Sequence, residues 1–289
     1  MNLIQGVILG LIQGLTEFLP ISSTAHLRVV PALLGWPDPG AAFSAVIQLG
    51  TLFAVLLYFF RDLWQIALAW FQGLWRREPF TDPKSRLAWI LIVGTLPIGI
   101  AGLVFKQAIE TTLRSLWVVA LALVLFALLL WLAEAVGKRA RAMEQISFLD
   151  GVLIGTAQAL ALIPGASRSG VTITAGLFAG LSRRDAARFS FLVSVPAVAA
   201  SGLYELLELI KAPQFSGQFA QGGGLMVVLV SALVAFVSGL AAIAGLLRYL
   251  QSHSTAIFIG YRLALGIAIA TLLVCGILQP LPLFEVACP

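Results

Sequence analysis

Six windows of this chain, roughly residues 41–60, 87–105, 115–136, 187–210, 225–247 and 256–278, run for about 20 residues with almost no charge, the length that crosses the hydrocarbon core of a bilayer. No other feature limits the fold so tightly. In lipid a spanning segment has no water for its backbone N–H and C=O groups, so it must satisfy them internally, and runs of this length do so as α-helices. The composition agrees. Of 289 residues, 60% are hydrophobic and 11% charged, against about 25% charged in a soluble domain. The chain reads as an all-α polytopic membrane protein, a single membrane domain over residues 1–289 with lipid around it. The start, Met1-Asn2-Leu3-Ile4-Gln5-Gly6, has neither a basic stretch nor a small-residue cleavage site, so no removable signal peptide is expected. A net charge of +5 calls for no nucleic acid, because basic residues flanking membrane spans account for it. Cys275 and Cys288 have no metal or redox spacing.

Two further apolar segments do not fit a span. Residues 3–19 carry Gln13, Thr16 and Glu17 and stop at Pro20, and residues 151–163 are too short and stop at Pro164. Each is followed by a polar turn and a second short apolar stretch, 24–35 and 171–181. Two half-helices around a polar turn predict a re-entrant hairpin, tolerated at membrane depth where it is buried in protein or lines a wet cavity. The expectation is therefore six transmembrane helices plus two re-entrant helical hairpins.

The basic residues orient them. One set of loops carries Arg61, Arg76, Arg77, Lys84, Arg86, Lys138, Arg139, Arg141, Arg183, Arg184, Arg188 and Arg248, and the other only Lys106, Arg114 and Lys211. The first set is expected in the cytoplasm. Both termini then face outward, the first hairpin enters from the outer face and the second from the cytoplasmic face.

The chain is also written twice. "GVILGLIQGLTEFLPISS" from Gly6 echoes "GVLIGTAQALALIPGAS" from Gly151, pairing Gly6, Val7, Gly10, Gln13 and Leu15 with Gly151, Val152, Gly155, Gln158 and Leu160. With a one-residue gap, Pro20 pairs with Pro164 and Ser23 with Ser167. "FSAVIQLGTLFAVLLYF" from Phe43 echoes "FSFLVSVPAVAASGLYE" from Phe189, and "IAGLVFK" from Ile100 echoes "IAGLLRY" from Ile243. Each half, approximately 1–142 and 143–289, holds one hairpin and three spans. Three is odd, so the halves form an inverted-topology repeat whose site is expected near the midplane where they meet.

The hairpin tips carry the polar residues. Helix N-termini bind anions through free N–H groups and the positive end of the dipole. Two such tips facing each other with Arg168, whose planar fork matches phosphate, predict a pocket for a strongly anionic group. Gln13 and Glu17, four apart, share a helix face and offer oxygens to Mg²⁺ or Ca²⁺; Glu17 is equally open to a structural pair with Arg168. Ser22, Ser23 and Thr24 follow Pro20 as N-caps or as site hydroxyls. His26 lies one turn after Ser23, a nucleophile–base spacing. His253 reads as a solvated loop residue, and Glu205 and Glu208 as interfacial. Arg262 falls within a span, with an ion pair or snorkelling as its expected role.

"QGLTEFLPISSTAH" and "PGASRSGVT" closely resemble the two signature motifs of the undecaprenyl pyrophosphate phosphatase, or bacitracin-resistance, family, and the resemblance covers essentially the whole chain. It implies a bacterial inner-membrane enzyme that removes the terminal phosphate of an isoprenyl diphosphate lipid, regenerating the carrier for peptidoglycan synthesis with the help of a divalent cation. It further implies metal binding at Gln13 and Glu17, chemistry at Ser23 and His26, and a phosphate grip at Ser167, Arg168, Ser169 and Thr172. Gln13 stands where a carboxylate is usual, and Ala25 where glycine is commoner. The competing expectation is a secondary transporter or lipid flippase, since inverted repeats with a charged midplane site describe many transporters. The serine–histidine pair beside a phosphate-type arginine distinguishes the two. The sequence sets no oligomeric state, and a homodimer is compatible with it.

Overall fold

A computed structural model describes residues 1–37, 40–110, 112–211 and 224–280. Residues 212–223, the tail with Cys288, and the side chains of Arg114, Glu205, Glu208 and Lys211 lie outside the described residues. The chain forms helices α1 (Leu3–Phe18), α2 (Ser23–Leu34), α3 (Gly40–Tyr58), α4 (Phe60–Trp75), α5 (Pro83–Val104), the short α6 (Lys106–Glu110), α7 (Leu116–Val136), α8 (Phe148–Ala159), α9 (Arg168–Phe178), α10 (Arg183–Lys211), α11 (Gly224–Tyr249) and α12 (Ala256–Val274). Five of these, α5, α7, α10, α11 and α12, are each long and apolar enough to cross a membrane. A sixth candidate combines most of α3 with α4, which turns away from it by 74°. The sequence reading placed a span at α3 and no helix at α4. Arg61, Asp62, Gln65 and Gln72 make 60–75 too polar for a span, yet its remaining aromatic and aliphatic residues give it an apolar side.

Matching punctuation brackets the two short-helix pairs. α1 opens with a capping box, Asn2 accepting from the N–H of Gln5 and Gln5 reaching back. α8 opens with the same device in Ser147 and Asp150. α2 begins after Ser22, at φ 73°, and α9 after Ser167, at φ 68°. Each of these serines accepts from the N–H three residues on, Ala25 and Gly170 respectively. Left-handed glycines follow both second helices, Gly35 at φ 65° and Gly180 at φ 81°. All four pairs are 145 positions apart, so the backbone aligns the two segments without a gap and pairs Ser167 with Ser22. The one-residue gap that paired it with Ser23 is corrected: the identical prolines suggested it, but the left-handed serine cap fixes the register.

Packing follows the same exchange. α1 lies against α11 and α8 against α5; α3 lies against α11 and α10 against α5; α3 meets α10, and α7 meets α12. The first two contacts depend on glycine. A side chain at Gly10 would run into the Ser231 carbonyl, and one at Gly155 into the Gly94 carbonyl, so only hydrogen fits between the helices. The core fills the space between α3, α5, α7, α10 and α11, around Phe18, Leu130, Phe189 and Phe191.

The ends of the bundle differ in charge. Glu134 at the end of α7 takes Arg139 at 2.9 Å and also Arg183, with Thr255 donating to it at 2.8 Å. Arg141 pairs with Asp150 at 2.6 Å and Arg188 with Asp62 at 2.9 Å. Four members of the Arg-rich loop set thus gather at one end. Arg141 lies outside the helices, and its hydrogen bond to Asp150 holds its guanidinium above the usual pKa. At the other end Lys106 donates to Tyr204 at 2.8 Å.

Candidate active site

The two turns that interrupt α1–α2 and α8–α9 meet inside the bundle. Ser22 and Ser167 hold backbone conformations that cost a non-glycine residue about 1–3 kcal/mol each, and in both places the strained cap sets the residue after it at the head of a helix. Those first helical residues are Ser23 and Arg168, and both reach one carboxylate. Arg168 Nη2 donates to Glu17 Oε1 at 2.6 Å, and Ser23 Oγ donates to Glu17 Oε2 at 2.6 Å. Gln13 Nε2 donates to the same Oε2 at 3.1 Å, one helical turn back. Four of the residues singled out in the sequence therefore form one connected group, with the Glu17 and Arg168 side chains 8% and 15% exposed. Glu17 and Arg168 are ion-paired, but the pair does not consume the arginine. Its Nη1 is buried with no partner, and such a donor is held only where something else completes it.

The remaining hydroxyls line the turns. Ser22 Oγ and Thr24 Oγ1 are 3.0 Å apart, and Thr24 accepts from the Gly165 N–H at 3.4 Å, joining the first tip to the second. Ser167 Oγ and Ser169 Oγ are 3.2 Å apart, and Ser169 donates to the Leu19 carbonyl at 3.0 Å, joining them again. Thr172 is not part of this lining. Its hydroxyl donates to the Arg168 carbonyl at 2.7 Å and sits 2.6 Å from Ser190 on α10, so it fixes α9 to its neighbour.

His26 also departs from expectation. The spacing pairs it with Ser23, but Nδ1 lies 2.6 Å from the Ser22 carbonyl and Nε2 lies 2.6 Å from Tyr261 Oη. Ser23 is engaged by Glu17 instead. Helical spacing puts two residues on one face, but the ring turns back over the head of the helix and sits between the Ser22 carbonyl and the Tyr261 hydroxyl.

Arg262 is the residue that sequence reasoning undervalued. It is fully buried, at 0% exposure, and its guanidinium has no carboxylate among its hydrogen-bond partners. It donates to five carbonyls: Pro20 of the first tip (3.3 Å), Gly165 and Ala166 of the second (3.1 and 2.9 Å), and Ala122 and Leu123 of α7 (3.4 and 3.3 Å). One side chain thus ties both turns to the bundle and leaves a positive charge behind them. The signal was present, since an ionisable residue inside a span is functional by default.

Two apposed turns thus bring together, inside the bundle, an incompletely satisfied arginine, a carboxylate and a serine at a helix start. Comparison with known proteins gives the class. The family model of the bacitracin resistance protein BacA matches residues 6–268, and the chain belongs to that family. It is 53% identical to the undecaprenyl-diphosphatase of Myxococcus xanthus, over 97% of this chain and 92% of that one. It is 53% identical to the undecaprenyl-diphosphatase of Chlorobium phaeobacteroides strain BS1, over 96% of this chain and 100% of that one. That of Chloroherpeton thalassium is 50% identical, over 96% and 99%.

Proposed function

We infer that this chain hydrolyses undecaprenyl diphosphate to undecaprenyl phosphate and inorganic phosphate, recycling the lipid carrier of peptidoglycan synthesis and conferring bacitracin resistance. The observation that carries this is the half-satisfied Arg168. Nη2 is anchored by Glu17 while the buried Nη1 lacks an acceptor, so a phosphate oxygen completes its hydrogen bonding. Full-length similarity to diphosphatases supports the substrate.

The lipid diphosphate enters from the outer face with its tail in the bilayer, and both termini face outward. Supporting this orientation, the Arg-rich loops gather at one end of the bundle, the end that a membrane keeps in the cytoplasm. The matched caps and exchanged packing support a reading as six spans and two re-entrant hairpins in an inverted repeat. In this arrangement Ser23 Oγ attacks the terminal phosphorus, and Glu17, which already holds the hydroxyl hydrogen, takes the proton. The bond from phosphorus to the bridging oxygen breaks and undecaprenyl phosphate departs. Water then attacks the phosphoserine, giving a proton to His26, which releases it to solvent before the next turnover. Phosphate leaves as Ser23 recovers its hydrogen from Glu17. Arg168 and the two helix starts hold the charge on the transferring group throughout.

A divalent cation, Mg²⁺ or Ca²⁺, fits this donor set in one way. Among the described residues no three His, Cys, Asp or Glu side chains converge, but such ions are held by one or two protein oxygens together with substrate phosphates. Glu17 would supply a carboxylate oxygen, and Gln13, whose amide nitrogen lies 3.1 Å from that carboxylate, would turn its Oε1 to the ion. When bound, the ion offsets phosphate charge and aligns the leaving group.

The test is phosphate release from undecaprenyl diphosphate by purified protein. Turnover is expected in the wild type, to stop on chelation and return with Mg²⁺ or Ca²⁺, and to fall at least about a thousandfold in Ser23→Ala. A folded wild-type protein that releases no phosphate sinks the assignment; a Ser23→Ala variant near wild-type rate removes the serine from the chemistry.

A further inference from the structure

Beside Arg262 stands Tyr261, which no motif includes and no step above uses. Its hydroxyl lies 2.6 Å from His26 Nε2. The two rings are 6° from parallel, with centroids 5.6 Å apart. His26 belongs to the first hairpin and Tyr261 to the last helix, so the contact joins opposite ends of the chain.

The hydrogen bonds fix the proton on the ring. Nδ1 faces the Ser22 carbonyl, which only accepts, so Nδ1 carries the hydrogen of the neutral imidazole. Nε2 is then the basic nitrogen, and the tyrosine hydroxyl donates to it. That donation fills the one lone pair of Nε2, so a proton reaches the ring through the hydroxyl, which gives its own hydrogen to Nε2, takes one from water in exchange and then accepts from Nε2–H, because a phenol does both. A carbonyl or a lysine in that place would suit one protonation state only. Burial strengthens the case: His26 is 8% exposed and its ring cannot borrow water freely, whereas Tyr261 is 44% exposed and can reorient its O–H.

We propose that Tyr261 serves the reaction through His26: it holds the ring with Nδ1–H on Ser22, hands Nε2 a proton in exchange for the one it takes from water, and keeps the ring partnered in both protonation states. This rests on the phosphatase reading above. A packing role would need only the ring, and Tyr261→Phe keeps the ring while removing the hydroxyl.

The experiment uses the full chain, wild type and Tyr261→Phe, each taken from the monodisperse peak in the same detergent. Phosphate release from undecaprenyl diphosphate gives kcat and KM, and diethyl pyrocarbonate labelling read by peptide mass spectrometry gives the reactivity of His26 relative to His253. His253 is the only other histidine in the chain and serves as internal reference. Expected are a kcat reduced about tenfold or more, a KM within twofold of wild type, and a several-fold rise in the His26:His253 labelling ratio as Nε2 loses its partner. A kcat within twofold of wild type overturns the proposal. So does a loss carried by KM, and so does a fall in kcat with an unchanged labelling ratio, which would put the hydroxyl on the substrate. The two levels fail differently: wild-type protein without turnover removes the phosphatase reading and this proposal with it, whereas active wild type matched by the variant removes the tyrosine's role alone.

Discussion

The two hairpins share a backbone and differ in what they carry. Both open on a capping box, both turn on a serine held at positive φ, and both close on a left-handed glycine. At matched positions the first holds Gln13, Glu17 and Ser23, and the second holds Gln158, Leu162 and Arg168. Beside its turn the first hairpin therefore has a carboxylate where the second has a leucine, and the second has an arginine where the first has a serine. Only together do they make a site, since Ser23 and Arg168 occupy equivalent positions and converge on the one carboxylate. The two turns share their serine caps, and the chemistry comes from the side chains in which they differ.

The largest effect expected from breaking this division of labour is at the second tip. Arg168→Lys keeps the charge but not the planar fork, so one ammonium must serve both Glu17 and the phosphate. A loss of about 3 kcal/mol in transition-state stabilisation, roughly a hundredfold in kcat, is expected, measured as phosphate release under saturating substrate. A variant near wild-type rate would reduce Arg168 to a counter-charge for Glu17, and the second hairpin to a support.

Much of this was legible from residue order. The six long apolar runs, the two polar interruptions and the group Gln13, Glu17, Ser23 and Arg168 all follow from hydrophobic length and from the expense of charge at depth. What escaped notice depended on geometry that spacing does not encode. Residues 60–75 form a helix with an apolar side, although Arg61, Asp62, Gln65 and Gln72 make the segment too polar to span by itself. The serine–histidine pairing does not form because each side chain has another partner, Ser23 on Glu17 and His26 between the Ser22 carbonyl and Tyr261. Arg262 was undervalued because its partners are backbone carbonyls from three separate segments, and backbone leaves no mark in a sequence.

That clamp holds the hairpins unequally and gives the next test. Arg262 donates to two carbonyls of the second turn and one of the first. Lysine has three donors on one atom and cannot span five acceptors on two turns and α7. Arg262→Lys is expected to destabilise the protein by about 2 kcal/mol, the order of magnitude of leaving buried acceptors unpaired. The melting temperature in detergent should drop, and turnover should fall with it as the tips separate. Unchanged melting would mean that the turns hold each other through Thr24 and Ser169 without the arginine.

The smallest effect, and the sharpest for the comparison, concerns the glutamine that both hairpins keep. Gln13 donates to Glu17. Gln158, its match, faces a half-helix in which leucine replaces the glutamate. It is 0% exposed, and neither its amide nitrogen nor its oxygen has a partner. A buried polar group left unsatisfied costs about 1–3 kcal/mol, while leucine fills a similar volume with nothing to satisfy. Gln158→Leu is therefore expected to stabilise the protein by about 1 kcal/mol, seen as a rise of a few degrees in melting temperature, with turnover within twofold of wild type. Gln13→Leu should do the reverse, lowering turnover because it strips Glu17 of a hydrogen bond and the proposed cation of an oxygen. If Gln158→Leu loses activity as Gln13→Leu does, the second hairpin has polar work of its own, and the division between a hairpin that carries the carboxylate and one that lends an arginine fails.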